Sequence, residues 1–274
     1  MQNMPATSGG IPVQLRRLVL LGTPLVLGTL EIWHPTSNES PFDLIVDNAN
    51  WWFTLHILQL PLFGLMALAV YLLVDGLHGW AATISRIGAW FFVVFYIALD
   101  SILGVAGGVI ARGARGLPAD QQALVAQELE EFAFDPIVGG GGLSLLGILG
   151  PLGWVAAAVG AAIALRGVGL PLGPTILIGL SAIFAVHSWP TGSLGLAFFL
   201  VGAGWAEFIR EKSVIRRRMK DSACGRDPLH ELRLNGVLRC SQPLVTLTQA
   251  QRLPIWGMCR PCARGLVYYD RGLE

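Results

Sequence analysis

The sequence predicts an all-α integral membrane protein: a bundle of six transmembrane helices with both termini in the cytoplasm, followed by a small soluble tail. Three observations predict it. The chain is 53% hydrophobic and only 14% charged, where an average soluble domain carries about 25% charged residues. Six apolar blocks, at 12–33, 52–74, 87–111, 142–165, 170–187 and 191–209, fill most of the first 209 residues. A helix rises about 1.5 Å per residue, so about 20 apolar residues match a hydrocarbon core about 30 Å thick. Finally, nearly all Lys and Arg near the block ends fall on one side.

That side carries Arg16, Arg17, Arg86, Arg166, Arg210, Lys212, Arg216, Arg217, Arg218 and Lys220; the other carries Arg112 and Arg115. The positive-inside rule puts the first set in the cytoplasm. An even number of crossings then returns the chain to its starting side. The expected organisation is a cytoplasmic segment at 1–11, the transmembrane domain at 12–209, a basic juxtamembrane segment at 210–220 and a cysteine-containing cytoplasmic tail at 221–274. The expected location is the cell membrane, plasma or inner.

The first block follows Arg16 and Arg17, like the start of a signal peptide. Glu31, Ile32, Trp33 and His34 come next instead of a small-residue cleavage site, so a retained span is expected. The first outer loop, 34–50, is acidic, and Trp51 and Trp52 fit an interfacial aromatic belt. In the second outer loop, 112–139, the stretch 120–132 reads as a short helix with Val125, Leu129 and Phe132 on one face. It lies on the membrane surface or caps the bundle. Residues 139–142 are a glycine run opening the fourth span. Gly104 and Gly108 in the third span, with Gly147, Gly150, Gly153, Ala156 and Gly160 in the fourth, predict close helix packing at the bundle centre. Pro24, Pro61 and Pro151 interrupt the backbone hydrogen bonding of their spans. The last two blocks are separated by Ser188, Trp189, Pro190, Thr191 and Gly192, which favour a tight turn over one long helix.

Chemistry is expected where polar groups meet hydrocarbon. His34, beside Glu31, ends the first span; His56 lies about four residues inside the second; His187 closes the fifth; Asp100 lies near the middle of the third. Gln59 shares a helix face with His56, and Tyr96 with Asp100. Ionisable groups at such depth face the bundle interior or a cavity. Four readings fit this set. His34, His56, His187 and Asp100 suit Zn²⁺ or another divalent metal. Two histidines on different helices suit a haem. His56, Gln59, Tyr96 and Asp100 suit a ligand site or proton path. All of them equally suit helix packing and the membrane interface. His78 falls on the inner side and outside the cluster.

The basic segment 210–220 suits anionic lipid head groups and equally a stop-transfer flank. In the tail, residues 232–240 alternate around Asn235-Gly236, a hairpin signal. Cys224, Cys240, Cys259 and Cys262 offer four thiols for a structural zinc, although one C-x-x-C pair stands where zinc ribbons bring two. A redox dithiol and reduced thiols in an unstructured tail are the alternatives. Nucleic acid is excluded as a partner by the lack of basic aromatic patches in the first 220 residues, and no signal bears on oligomeric state. Three function classes stand open: a membrane protein binding a metal, haem or small ligand at the polar cluster, with or without enzymatic activity; a small-substrate or proton-linked permease; and a structural or sensory component acting through its tail.

Overall fold

The computed structural model describes residues 11–36, 40–140 and 143–223, with side chains described as far as Ser213. The expected tail hairpin and all four cysteines lie outside the described residues. Residues 1–210 form one compact unit and 211–274 a second. The helical bundle belongs to the first unit.

Every described element is a helix; no strand occurs among the described residues. Helix α1 covers residues 13–32, α2 Pro41–Asp47, α3 Ala49–Leu73, α4 Trp80–Ala114, α5 Ala119–Ala133, α6 Leu145–Gly167, α7 Leu172–Ala185 and α8 Thr191–Ala223. Four of them, α3, α4, α6 and α8, are long and apolar enough to cross a membrane. Helix α1 is continuous but changes pitch, with a π-helical turn at Leu18–Gly22 ahead of Pro24. Pro24 has no N–H for the Leu20 carbonyl four residues back, and that carbonyl lies in the widened turn. Helix α7 is shorter than its apolar block. Nine α-helical residues pass into a 3₁₀ stretch at Ser181–Ala185, about 24 Å in all.

The bundle closes on an aromatic core. Phe63, Phe92, Tyr96, Trp154, Phe184 and Phe199 are all fully buried, and neighbouring rings meet at 5.0–6.3 Å. The Trp154 indole donates to the Ser181 carbonyl at 2.8 Å, and the Ser85 hydroxyl to the Ala157 carbonyl at 2.8 Å. Large apolar side chains such as Leu58, Leu68, Ile87, Trp90, Leu152, Ile176 and Val201 face outward. An apolar exterior on helices of this length is consistent with an integral membrane protein in contact with lipid.

The small residues of the fourth span do admit a neighbouring helix. A Cβ on Gly153 would meet Phe92 N at 2.5 Å and one on Gly88 would meet Ala157 N at 2.6 Å, so α4 and α6 touch backbone to backbone. Gly104 and Gly108 face elsewhere. They receive α3, with the His56 ring over Gly104, and Trp52 and Phe53 over Gly108. The third span contributes Phe92 and Tyr96 to the core but is the less enclosed of the two: 28% of its apolar window is buried, against 56% for the fourth.

At the end of the bundle away from Arg16, Arg86, Arg166 and Arg210, a helical cap forms, and Arg115 donates to the Val46 and Asp47 carbonyls there. Ser40 caps α2, its hydroxyl accepting from Asp43 N at 3.2 Å, with Pro41 in the first turn. Phe42 and Ile45 of α2 pack with Ala111 and Ala114 of α4 and Leu129 of α5 into a second small core. The amphipathic stretch expected at 120–132 is thus a capping helix, docked by Leu129.

Candidate metal centre

Three elements bring three imidazoles together beneath this cap. His34 follows α1 in a turn, His56 lies in the second turn of α3, and His187 lies in the link between α7 and α8. One ligand nitrogen from each lies within 4.8 Å of the other two. The His34 ring stands between its partners, 5.4 Å from His56 and 5.0 Å from His187 by centroid. His34 is 8% exposed, His56 2% and Asp100 4%; His187 is half-buried.

The other ring nitrogen of each histidine is engaged by the chain. His34 Nδ1 donates to the Pro35 carbonyl at 2.9 Å, and His56 Nδ1 to the Trp52 carbonyl at 2.7 Å. A carbonyl can only accept, so both rings carry their proton on Nδ1 and a lone pair on Nε2. His187 Nδ1 lies 2.8 Å from the Tyr96 hydroxyl, which also faces the Ala185 carbonyl at 3.4 Å. The Tyr96 hydroxyl can donate to His187 Nδ1 or, with its proton on the Ala185 carbonyl, accept from it; the second arrangement leaves His187 Nε2 as a lone pair. His34 Nε2 is fully buried with no hydrogen-bond partner among the described residues. Burial lowers the His34 pKa, against the opposing hydrogen bond to Pro35. The ring is therefore neutral, as a metal ligand must be.

Asp100 lies beside this group rather than in it. Its Oδ1 is 3.6 Å from His56 Nε2, and its Oδ2 is buried without a partner among the described residues. It belongs to a π-helical stretch of α4, Asp100–Ala106, and Tyr96 ends another, Phe92–Tyr96. Widened turns of this kind re-aim side chains and often mark functional sites. Gly104, one turn from Asp100, lets the His56 ring lie against α4; a Cβ there would overlap the ring. Gln59 points elsewhere: its amide donates to Glu31 Oε1 at 2.7 Å. Of the residues read as one polar group in the sequence, His34, His56, His187, Asp100 and Tyr96 converge, whereas Gln59 pairs with Glu31 to one side.

Two participants were not legible as such. Glu31 is fully buried and holds Gln59, and the only sequence signal was an acid inside an apolar block. Trp52 looked like a belt residue together with Trp51. The structure separates the two: Trp51 is exposed and donates to the Trp33 carbonyl at 2.7 Å, while the Trp52 ring lies 4.4 Å from that of His56, tilted by 37°.

The cluster forms one wall of a cavity of about 490 Å³ between bundle and cap. Its lining also includes Ile45, Leu103, Leu129, Phe132 and Phe134, and no Lys or Arg among the described residues lines it. The geometry can hold a cation on three neutral nitrogens with one side open to an apolar chamber. A tetrahedral site with metal–nitrogen bonds of about 2.0–2.1 Å asks for nitrogens about 3.4 Å apart, so binding would draw the rings together by about 1 Å. The chain matches no protein-family model, no curated protein and no solved structure, so this geometry alone carries its functional reading.

Proposed function

We propose that this protein is a membrane metalloprotein that holds Zn²⁺ on the Nε2 atoms of His34, His56 and His187. One observation supports the reading: a ring nitrogen of each of the three histidines lies within 4.8 Å of the other two, and the Nδ1 bonds of His34 and His56 to backbone carbonyls leave their Nε2 atoms as lone pairs. Metal-binding histidines are fixed in this way by their outer partners. Three neutral nitrogens and an open fourth position are the donor set of a catalytic zinc site. The haem alternative has less support, because with two rings as axial ligands the third imidazole would stand where the macrocycle lies. A permease needs polar groups along a path, and here the converging groups sit at one level.

In the bilayer, we read α1, α3, α4, α6, α7 and α8 as six crossings with both termini cytoplasmic. Arg16, Arg17, Arg86, Arg166 and Arg210 then mark the inner face, the metal centre occupies the outer half, and the cap of α2 and α5 faces outward. The basic segment 210–220 meets anionic head groups.

Metal analysis of detergent-purified protein tests the reading. About one Zn²⁺ per chain is expected, falling at least tenfold in His34→Ala and in His187→Ala, in line with the sensitivity of such sites to lost ligands. Co²⁺ in its place should give the visible absorption of a tetrahedral site. Zinc content that is nil in the native protein, or unchanged in both variants, rejects the reading.

A further inference from the structure

We propose that this centre is hydrolytic: a zinc-held water, with Asp100 as its proton acceptor and Trp52 as a hydrogen-bond donor, cleaves a neutral ester or amide that carries a long apolar chain. The proposal rests on the metal reading above and adds a reaction and a substrate class to it.

Six buried side-chain atoms lack partners among the described residues, and three of them, chemically different from one another, belong to residues that line the cavity; the other three are Glu31 Oε2, Gln59 Oε1 and Ser193 Oγ. His34 Nε2 is a lone pair, Asp100 Oδ2 an acceptor and Trp52 Nε1 a donor. All three residues line the same chamber. Buried polar atoms are normally satisfied, and an unpartnered lone pair, acceptor and donor on residues beside the histidine cluster suit a ligand there. A metal on three neutral imidazoles keeps its full double charge, and that charge lowers the pKa of a bound water to about 7. Asp100, beside His56 and outside the histidine trio, can accept from such a water. The Trp52 N–H can donate to the oxygen of a carbonyl brought to the metal, where negative charge grows during attack.

The substrate class follows from the walls. A cavity of about 490 Å³ is the size of ordinary ligand sites, about 300–1,000 Å³. Leu, Ile and Phe make up much of its lining, and the absence of Lys and Arg from its described lining disfavours phosphate or sulfate esters. An acyl or alkyl chain suits the apolar lining, with its carbonyl at the histidines.

The step balances without any redox partner. The water oxygen adds to the carbonyl carbon as one of its protons passes to Asp100. The bond from that carbon to the leaving oxygen or nitrogen then breaks, and the same proton moves to the leaving atom. A carboxylic acid and an alcohol or amine result.

The test uses the full chain in detergent with its zinc content measured, and three probes: 4-nitrophenyl dodecanoate, dodecanoyl-4-nitroanilide and 4-nitrophenyl phosphate. Expected is chelator-sensitive release of the chromophore from the ester or the anilide and none from the phosphate. Asp100→Asn should lower kcat at least about a hundredfold, the scale of a lost general base, with zinc content unchanged. Trp52→Phe keeps the ring and should lower kcat about tenfold or more. Zinc bound with neither acyl probe cleaved overturns the hydrolytic proposal and leaves the metal reading standing. Absence of zinc removes both. Preference for the phosphate overturns the substrate class. Full activity in Asp100→Asn overturns its role, and retention of Asp100→Glu activity above that of Asn supports it.

Discussion

The molecule buries polar side chains at two ends of its bundle and treats them in opposite ways. At the arginine-rich end, the Arg16 side chain is 6% exposed and Glu207 12%. Arg16 Nε and Nη2 both donate to Glu207 Oε1, at 3.0 and 2.6 Å, and Arg210 adds a contact at 3.9 Å. At the capped end, His34, Asp100 and Trp52 keep atoms that no group among the described residues answers. The first arrangement is self-sufficient and fastens α1 to α8. The second is finished on its outer side, through the Nδ1 bonds, and open on its inner side. The Arg16–Glu207 pair completes its hydrogen bonds within the chain, whereas the capped end leaves several buried atoms unanswered, Glu31 Oε2 and Gln59 Oε1 among them.

The largest expected effect breaks the first site. Arg16→Ala takes both close hydrogen bonds from the largely buried Glu207 carboxylate and leaves it only the longer Arg210 contact, a loss of up to about 3 kcal/mol. The double change Arg16→Met with Glu207→Leu should recover most of that loss, since replacing both members of a buried pair is often neutral. Thermal unfolding in detergent reads both. Metal content per folded chain should not change in either. A double variant as unstable as the single one would mean that the pair contributes more than mutual neutralisation.

Glycine substitutions sharpen the comparison within one pair of helices. Gly153→Ala pushes a methyl against Phe92 N and the Gly88 carbonyl, where only backbone can move; overpacking of this kind costs about 1–3 kcal/mol. Gly104→Ala pushes a methyl into the His56 ring, and a side chain can rotate away. Its expected signature is lost zinc affinity, tenfold or more, at a smaller cost in thermal stability. If the two variants lose stability equally and both keep zinc, the space at Gly104 is helix packing and nothing more.

Much of this architecture was readable from residue type because the bilayer imposes it. Apolar length identified the long helices, and the period of Val125, Leu129 and Phe132 identified α5. Small residues in the fourth span correctly announced close packing, but their partners at Gly88 and Ser85 lie at the arginine-rich end of α4, away from the Gly104–Gly108 pair that the spacing advertised. Helix ends were less legible. The block at 170–187 is apolar throughout, yet the helix stops at Ala185, since hydropathy does not report where α geometry tightens to 3₁₀. His56 lies two turns into α3 rather than one, because the helix begins at Ala49, well before the apolar block. The set His34, His56, His187 and Asp100 was found because charge and imidazole are conspicuous in hydrocarbon. The ring tautomers, the π-helical turns under Tyr96 and Asp100 and the inward turn of Trp52 are tertiary facts, without a signature in a single sequence.

The smallest expected effect concerns acid, and it separates the two ends once more. Burial depresses the His34 pKa in the folded chain, while in the unfolded chain the group returns to about 6.5. The unfolded state therefore binds more protons below about pH 6.5, and stability rises with pH through that region. Above it both states hold a neutral ring and the term vanishes. Metal-free protein should lose stability as pH falls from 7.5 to 5.5, by at most about 1.4 kcal/mol per pH unit for this one group. His34→Asn should flatten that slope. Zinc-loaded protein should show a steeper loss, because protons compete with the metal for the same lone pair. Arg16→Ala, at the other end, should lower the whole curve without changing its slope between pH 5.5 and 7.5. A slope that survives His34→Asn intact would assign the acid response to other groups and would mean that His34 is not the buried neutral ring on which the metal site depends.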